Sequence, residues 1–313
     1  MNKKLKISSK IHNYEVVFNT NLKNSFTSFK ENTVFIIDSN VYSIYLKNII
    51  RNKKYIKLSS NEGTKDFLNL KKLINFFIKN VSKNTLVIAI GGGVIQDVTS
   101  FLSSIFKRGV DWNFFPTTII SQGDSCIGGK TSINYNKLKN QLGNFYPPKK
   151  IIINSSFLKN ISKKEIFSGL GEMGHYFLLS NNQDYKYYRE FMFNFSKKKK
   201  LDFNKIIYKS LKIKKKYIEK DEFDKNIRLK LNYGHTFGHA LENLSVIPHG
   251  IAVAHGMNIS NFVSYKLGYL DFNQTVLMDS VTLVAAKGAI ALHVIFDLCK
   301  SNAVTLVKAI SPA

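Results

Sequence analysis

Of the seven histidines in this 313-residue chain, three fall within the short run 232–250: His235 and His239 are four apart, and His249 follows ten further on, directly after Pro248. Residues four apart share one face of a helix, so His235 and His239 can point into a common cavity while His249 returns from the next loop. Imidazole nitrogens gathered in this way suit a divalent metal. Two histidines at that spacing also arise by accident on surfaces and in cores, so the run alone leaves a metal site and a plain helix face both open. A third ligand of another type must come from elsewhere in the chain.

The composition limits what surrounds such a site. With 44% hydrophobic residues the chain can build cores for two domains of ordinary size. It contains no apolar run of the ~18 residues a membrane span needs, and its basic start has no apolar segment behind it, so neither a span nor a secretory signal is expected. Two cysteines, Cys126 and Cys299, make no disulfide framework, and a reducing cytoplasm is the simplest compartment. The formal charge of +25 invites a nucleic-acid reading, but lysine is scattered along the chain and no nucleic-acid motif accompanies it. The one dense run, 197–200, reads as a solvated helix end or loop, and the basic surface would attract small anions.

Ahead of the histidines the chain alternates strand and helix. Residues 34–37 read as a buried parallel strand that delivers Asp38 and Asn40 at its C-terminal end, where open α/β sheets bind ligands. Glu62-Gly63-Thr64-Lys65 follows, then an amphipathic helix over 66–80, and a second buried strand over 86–90. That strand runs into Gly91-Gly92-Gly93-Val94-Ile95-Gln96-Asp97 and an apolar helix through Phe106. A glycine turn between strand and helix lets backbone N–H groups approach a pyrophosphate; a tight structural turn is the competing reading, since the GxGxxG pattern is not met. A further strand over 111–115 ends in Pro116-Thr117-Thr118, ahead of the glycine-rich stretch 121–134.

Taken in order and spacing, 91–97, 116–118, 124–130, Lys139-Asn140, Glu172 and 231–242 resemble 3-dehydroquinate synthase over about residues 30–270. The resemblance implies an α/β N-terminal NAD-binding domain (1–150) and a mostly α-helical C-terminal metal-binding domain (151–313), with the active site in the cleft between them. It places NAD on Asp38, Asn40, Glu62, Lys65, Gly92, Gly93, Val94, Ile95, Gln96, Asp97, Thr117, Thr118, Lys130, Lys139, Phe157, Leu158, Lys159 and Asn160. It makes Glu172, His235 and His249 the ligands of a divalent metal, zinc or cobalt, which leaves an open position as catalytic zinc requires. Substrate contacts carry over to Arg108, Asp124, Lys130, Asn140, Lys214, Arg228, Asn232 and His239, with His239 as proton carrier. Lys214 is singled out from its lysine neighbours by its spacing to Asp221.

The implied substrate is 3-deoxy-D-arabino-heptulosonate 7-phosphate, whose phosphate and carboxylate account for the cationic contacts. NAD takes a hydride from carbon 5, phosphate leaves by elimination, the hydride returns, and the opened chain closes to 3-dehydroquinate by an intramolecular aldol step. The same resemblance implies a homodimer; the expectations of a cytoplasmic protein that binds neither nucleic acid nor membrane rest on the composition.

Several positions depart from the family pattern. His175 stands where the family has lysine and is a weaker anion partner at neutral pH. Gln96 replaces glycine, Asn154 an aspartate and Ile251 a glutamate. The connection from His239 to His249 is about two residues short, which leaves open whether His249 keeps its ligand position. From about 275 the composition turns to Ala, Val and Leu, and the tail 275–313 reads as truncated or of different origin. Another sugar phosphate cyclase, a metal-dependent polyol dehydrogenase and a catalytically impaired homologue therefore stand beside the leading reading. The stretch 124–130 favours the synthase; His175 and the tail speak for the others.

Overall fold

The computed structural model of the chain describes residues 3–271 apart from 20, 28, 30, 137, 245 and 246. The tail beyond 275 lies outside the described residues. Contacts divide the chain into two compact units, Met1–Ile161 with Phe203–Lys225, and Ser162–Asp202 with the chain from Asn226 onward. By contacts the first unit runs to Ile161 and takes in Phe203–Lys225, whereas the sequence reading divides the chain at 150.

The strands are β1 (Lys4–Ile7), β2 (Tyr14–Phe18), β3 (Thr33–Asp38), β4 (Lys54–Leu58), β5 (Leu86–Gly91), β6 (Trp112–Pro116), β7 (Ile133–Tyr135), β8 (Leu138–Leu142) and β9 (Lys150–Ile153). Seven of them form one sheet in the order β1-β2-β9-β6-β5-β3-β4, while β7 and β8 make a separate hairpin. Only β1 and β2 pair antiparallel within the large sheet. All six residues of β3 are buried, as are the last five of β5. Such unbroken apolar runs belong to strands covered on both faces. On one face Phe26, Phe35, Ile37, Ile90 and Phe115 pack together, with the Phe26 and Phe115 rings stacked at 4.7 Å.

The helices of this part are α1 (Leu22–Thr27), α2 (Ser39–Val41), α3 (Lys71–Asn80) and α4 (Gly93–Ile105). The helix expected over 66–80 starts later, at Lys71. The Asp66 carboxylate accepts the Leu68 N–H at 2.9 Å and the Asp66 carbonyl that of Asn69, which closes a tighter turn over Phe67–Leu70 first. From β3 the chain steps outward to β4, then returns to the other side of β3 to form β5. The order of the sheet reverses there, so the C-terminal ends of β3 and β5 open the crevice in which such sheets bind ligands.

Then come α5 (Lys163–Leu178), α6 (Asn182–Ser196), α7 (Phe203–Ile218), α8 (His235–Leu244) and α9 (His249–Lys266). A capping box between Ser162 and Glu165 starts α5, and the Asn181 side chain caps α6. Lys197, Lys198, Lys199 and Lys200 are exposed just past α6, as the charge run suggested. Helix α7 belongs to the first unit because Ser210 Oγ donates to the Gly123 carbonyl at 2.8 Å and Lys214 Nζ to that of Asp124 at 2.9 Å. Apart from α7 these helices make the second unit, which among the described residues holds no strand.

Candidate active site

Glycines decide how the second unit brings its polar side chains together. A Cβ on Gly171 of α5 would lie 2.4 Å from the Gly250 carbonyl oxygen, and one on Gly250 of α9 would lie 1.8 Å from that of Ser168. The two helices therefore meet backbone to backbone, fastened by the Gly250 N–H donating to Ser168 Oγ at 3.0 Å. Glu172 and His249 are the next residues along. Helix α8 is held to α9 in the same way: a Cβ on Gly256 would meet the Gly234 carbonyl at 2.0 Å.

At this junction Glu172, almost fully buried, lies with Oε1 3.5 Å from His235 Nε2 and Oε2 3.4 Å from His249 Nε2. The short connection from α8 to α9 does not carry His249 away from Glu172. His239, one turn beyond His235, joins them, and the ligating atoms of His235, His239 and His249 all lie within 4.8 Å of one another. The outer nitrogens of two rings are engaged: His249 Nδ1 faces Glu242 Oε2 at 3.0 Å and His235 Nδ1 the Tyr233 carbonyl at 3.4 Å. Partners of this kind fix the tautomer that presents Nε2 inward, as around metal-binding histidines. His175 sits one turn along α5, buried, with Nδ1 4.0 Å from Glu172 Oε1.

Burial alone would raise the Glu172 carboxyl, but His235, with His175 and His249, reverses this and holds it well below the usual carboxylate range. Its Oε2 is buried and accepts no hydrogen bond. A buried carboxylate whose Oε2 accepts no hydrogen bond and faces His249 Nε2, while Oε1 faces His235 Nε2, fits a divalent cation held by these three side chains. The His239 pKa is lowered by burial and by the neighbouring imidazoles His235 and His249.

The first unit gathers a second group at the crevice between β3 and β5. Asp38 Oδ1 accepts the N–H groups of Asn40 at 2.7 Å and Val41 at 2.9 Å, while Ser60 Oγ donates to Oδ2. Gly92 caps α4 with no side chain over the first backbone N–H groups, and a Cβ on Gly93 would meet nothing within 4 Å. That exposed helix N-terminus fits an anion such as a pyrophosphate. Val94 and Ile95 continue the first turn of α4, Thr118 packs against Gly92, and the Thr117 N–H donates to the Gly91 carbonyl at 3.0 Å.

Beside this cradle Lys65 Nζ lies 2.7 Å from Asp97 Oδ2 and 3.2 Å from Asn140 Oδ1, and Asn134 Nδ2 donates to Glu62 Oε2 at 2.7 Å. Burial pushes the Asp97 carboxyl up to about 6, against the pull of Lys65. Lys139 is exposed on β8. Phe157, Leu158, Lys159 and Asn160 lie on the turn Ser155–Asn160, whose start is capped by Asn154 accepting from Ser156 N–H at 2.9 Å. An asparagine oxygen thus does the capping an aspartate would do.

Asp124 pairs with Lys214 at 2.6 Å, and Lys130 pairs with Asp224. Arg108 is exposed in left-handed conformation at φ 64°, and no described hydrogen bond or ion pair joins it to these groups. Arg228 is buried on the turn Ile227–Asn232, and Asn232 at its end is exposed. Glu242 and Asp224 escaped the sequence reading. Glu242 lies seven residues after His235 and three after His239, which puts all three on one helix face; Asp224, in an irregular loop, leaves no periodic signal.

Residues 55–168 match the family model described as 3-dehydroquinate synthase N-terminal, and residues 169–300 match 3-dehydroquinate synthase C-terminal. The chain belongs to the 3-dehydroquinate synthase family. The second match continues past 275, where a change of origin was expected. The chain is 35% identical over 287 residues to the 3-dehydroquinate synthase of Clostridium tetani, covering 86% of this chain and 76% of that protein. It is 34% identical over 267 residues to that of Buchnera aphidicola, covering 82% and 73%. Among solved structures, 2-deoxy-scyllo-inosose synthase with carbaglucose-6-phosphate, NAD+ and Co2+ superposes with a TM-score of 0.80 at 20% identity, covering 92% of this chain and 85% of that one. The 2-epi-5-epi-valiolone synthase ValA of Streptomyces hygroscopicus, with NAD+ and Zn2+, gives 0.79 at 20% identity, covering 89% and 82%. At that identity these two share the fold.

Proposed function

We infer that the chain is a 3-dehydroquinate synthase, converting 3-deoxy-D-arabino-heptulosonate 7-phosphate to 3-dehydroquinate and phosphate. The observation that carries the reading is the meeting of Glu172, His235 and His249 inside a chain that matches both halves of that family. Glu172, His235 and His249 would hold a zinc or cobalt ion, and the β3–β5 crevice with the α4 N-terminus would hold NAD. When bound, these two groups supply Lewis acidity at substrate hydroxyls and a hydride acceptor that later gives the hydride back.

The chain's own residues supply charge, orientation and proton transfer. Glu172 stays ionised and offsets the charge of a cation, while Glu242 and the Tyr233 carbonyl keep two imidazoles in the tautomer that binds it. His239, with its pKa lowered, is neutral near pH 7 and can accept a proton from a substrate hydroxyl through a ring nitrogen. Lys214 is aimed by its ion pair with Asp124, and with Lys130, Asn140 and Arg108 it is assigned to the anionic groups of the substrate. Arg228 and Asn232 have the same assignment in the second unit. A homodimer in the cytoplasm, independent of nucleic acid, completes the reading.

The test is incubation of purified protein with NAD, zinc or cobalt and the heptulosonate phosphate, following inorganic phosphate and identifying the product. Release of phosphate with 3-dehydroquinate is expected. Release only from a different sugar phosphate would replace this substrate, and no release at all would leave a protein that folds as a synthase without acting as one.

A further inference from the structure

We propose that Gln96 is a positioning residue for the substrate, not a cofactor contact, and that it acts by locking the Asp124–Ser125 turn onto the first turns of α4. The proposal rests on the function inferred above. Gln96 stands where the family resemblance has glycine, so its side chain has no counterpart in that pattern, and it is 4% exposed. Both ends of its amide go to one residue. Gln96 Nε2 donates to the Ser125 carbonyl at 2.7 Å, and Ser125 Oγ donates to Gln96 Oε1 at 2.7 Å.

A buried amide with both functions satisfied by a single partner has one orientation, and a buried pair of this sort fixes geometry more than a single bond does. The turn it grips is the one that carries Asp124. Gln122 Nε2 ties that turn to the Pro116 carbonyl at 3.0 Å and to the Asn154 carbonyl at 3.1 Å, at the ends of β6 and β9. Ser210 and Lys214 tie it to α7 through the Gly123 carbonyl and Asp124. Gln96 adds the tether to α4, whose N-terminus is the anion cradle. With it in place, the Asp124–Lys214 pair and the cradle sit on one rigid piece of the first unit.

The test is kinetic and uses the full chain with NAD and metal. Gln96→Ala is expected to raise KM for the sugar phosphate about tenfold, with kcat and the dissociation constant for NAD within about twofold of the parent, because only the placement of the substrate-binding pair is loosened. Ser125→Ala removes only the hydroxyl bond and leaves the one to the carbonyl, so it should raise KM in the same direction by less. The double variant should be no worse than Gln96→Ala alone, since that substitution already removes both bonds of the lock. Substrate affinity is also read by calorimetric titration of the NAD-loaded, metal-free protein, which needs no turnover.

Weakened NAD binding with unchanged KM would overturn the proposal in favour of a cofactor contact. Additive effects of the two substitutions, or a lower unfolding temperature with no change in KM, would overturn it as well. If the parent protein neither binds nor turns over the sugar phosphate, the inferred function falls and the positioning role falls with it. If the parent is active and the variants match it, only the positioning role falls.

Discussion

The side chains that matter most are held by partners one step away from the chemistry. Glu242 fixes His249 from behind, through Nδ1. Glu242→Gln should therefore weaken zinc binding about tenfold while leaving the fold intact, measured by competition with a chromophoric chelator; unchanged affinity would remove Glu242 from the centre. Asp97 offers a prediction about pH. Its carboxyl sits at about 6 in the folded protein, above the ordinary 3.8. A raised carboxyl binds its proton more tightly in the folded than in the unfolded chain, so its contribution to stability is complete below about pH 4 and lost as the pH rises through about 6, roughly 3 kcal/mol in all. Urea unfolding of the cofactor-free protein across that window should show the loss, and Asp97→Asn should flatten it. At this scale the histidine spacing left a metal site and a plain helix face both open, and it was the family resemblance that added Glu172 to His235 and His249, three side chains that meet in the fold. The sequence was least legible where a residue is needed for its neighbour, as with Asp224 and Ser125, because such partners are defined by contacts that no spacing encodes; Glu242 shares a helix face with His235 and His239, but nothing in that spacing says what it holds.

Elements turn these residues into sites through two devices of different visibility. The buried strand β3 and the buried last five residues of β5 show in the sequence as unbroken apolar runs, and the polar residues at their ends fall at the crevice by the ordinary rules of parallel sheets. The close crossing of α5 and α9 does not show, because Gly171 and Gly250 are far apart in the chain and each looks like a helix weak point taken alone. The helix start at Lys71 was misplaced for a related reason: the amphipathic pattern continues through Asp66, and only the competing side-chain turn stops it. The crossing yields a prediction of its own. Gly250→Ala puts a methyl group where the Ser168 carbonyl is 1.8 Å away, so α9 must move off α5. A cost of about 3 kcal/mol or more is expected, together with loss of zinc affinity, because His249 moves with the helix while Glu172 stays on α5. Unfolding midpoints with and without zinc check both parts, and a variant that keeps its zinc affinity would show that the glycine contact does not set the ligand spacing.

For the molecule as a whole, a net charge of +25 singles out no site, since lysine is scattered along the whole sequence. The division of labour is more telling. The anion cradle is built wholly from residues of the first unit, and the four groups Glu172, His235, His239 and His249 belong wholly to the second. That α7 belongs to the first unit could not be read from a helix that follows two helices of the second; it is decided by Ser210 and Lys214 reaching the turn at Gly123 and Asp124. Each ligand should therefore stabilise its own set of segments. A ligand present at about 100 times its dissociation constant contributes about 2.7 kcal/mol to the state that binds it, and backbone amides that exchange only when the site opens should slow about a hundredfold. Hydrogen exchange read by mass spectrometry is expected to show NAD slowing residues 91–97 and those around Asp38, and zinc slowing the junction of α5, α8 and α9. Zinc protection that fell on residues 91–97 and spared α8 would move the metal out of the histidine cluster, and with it the chemistry assigned to Glu172.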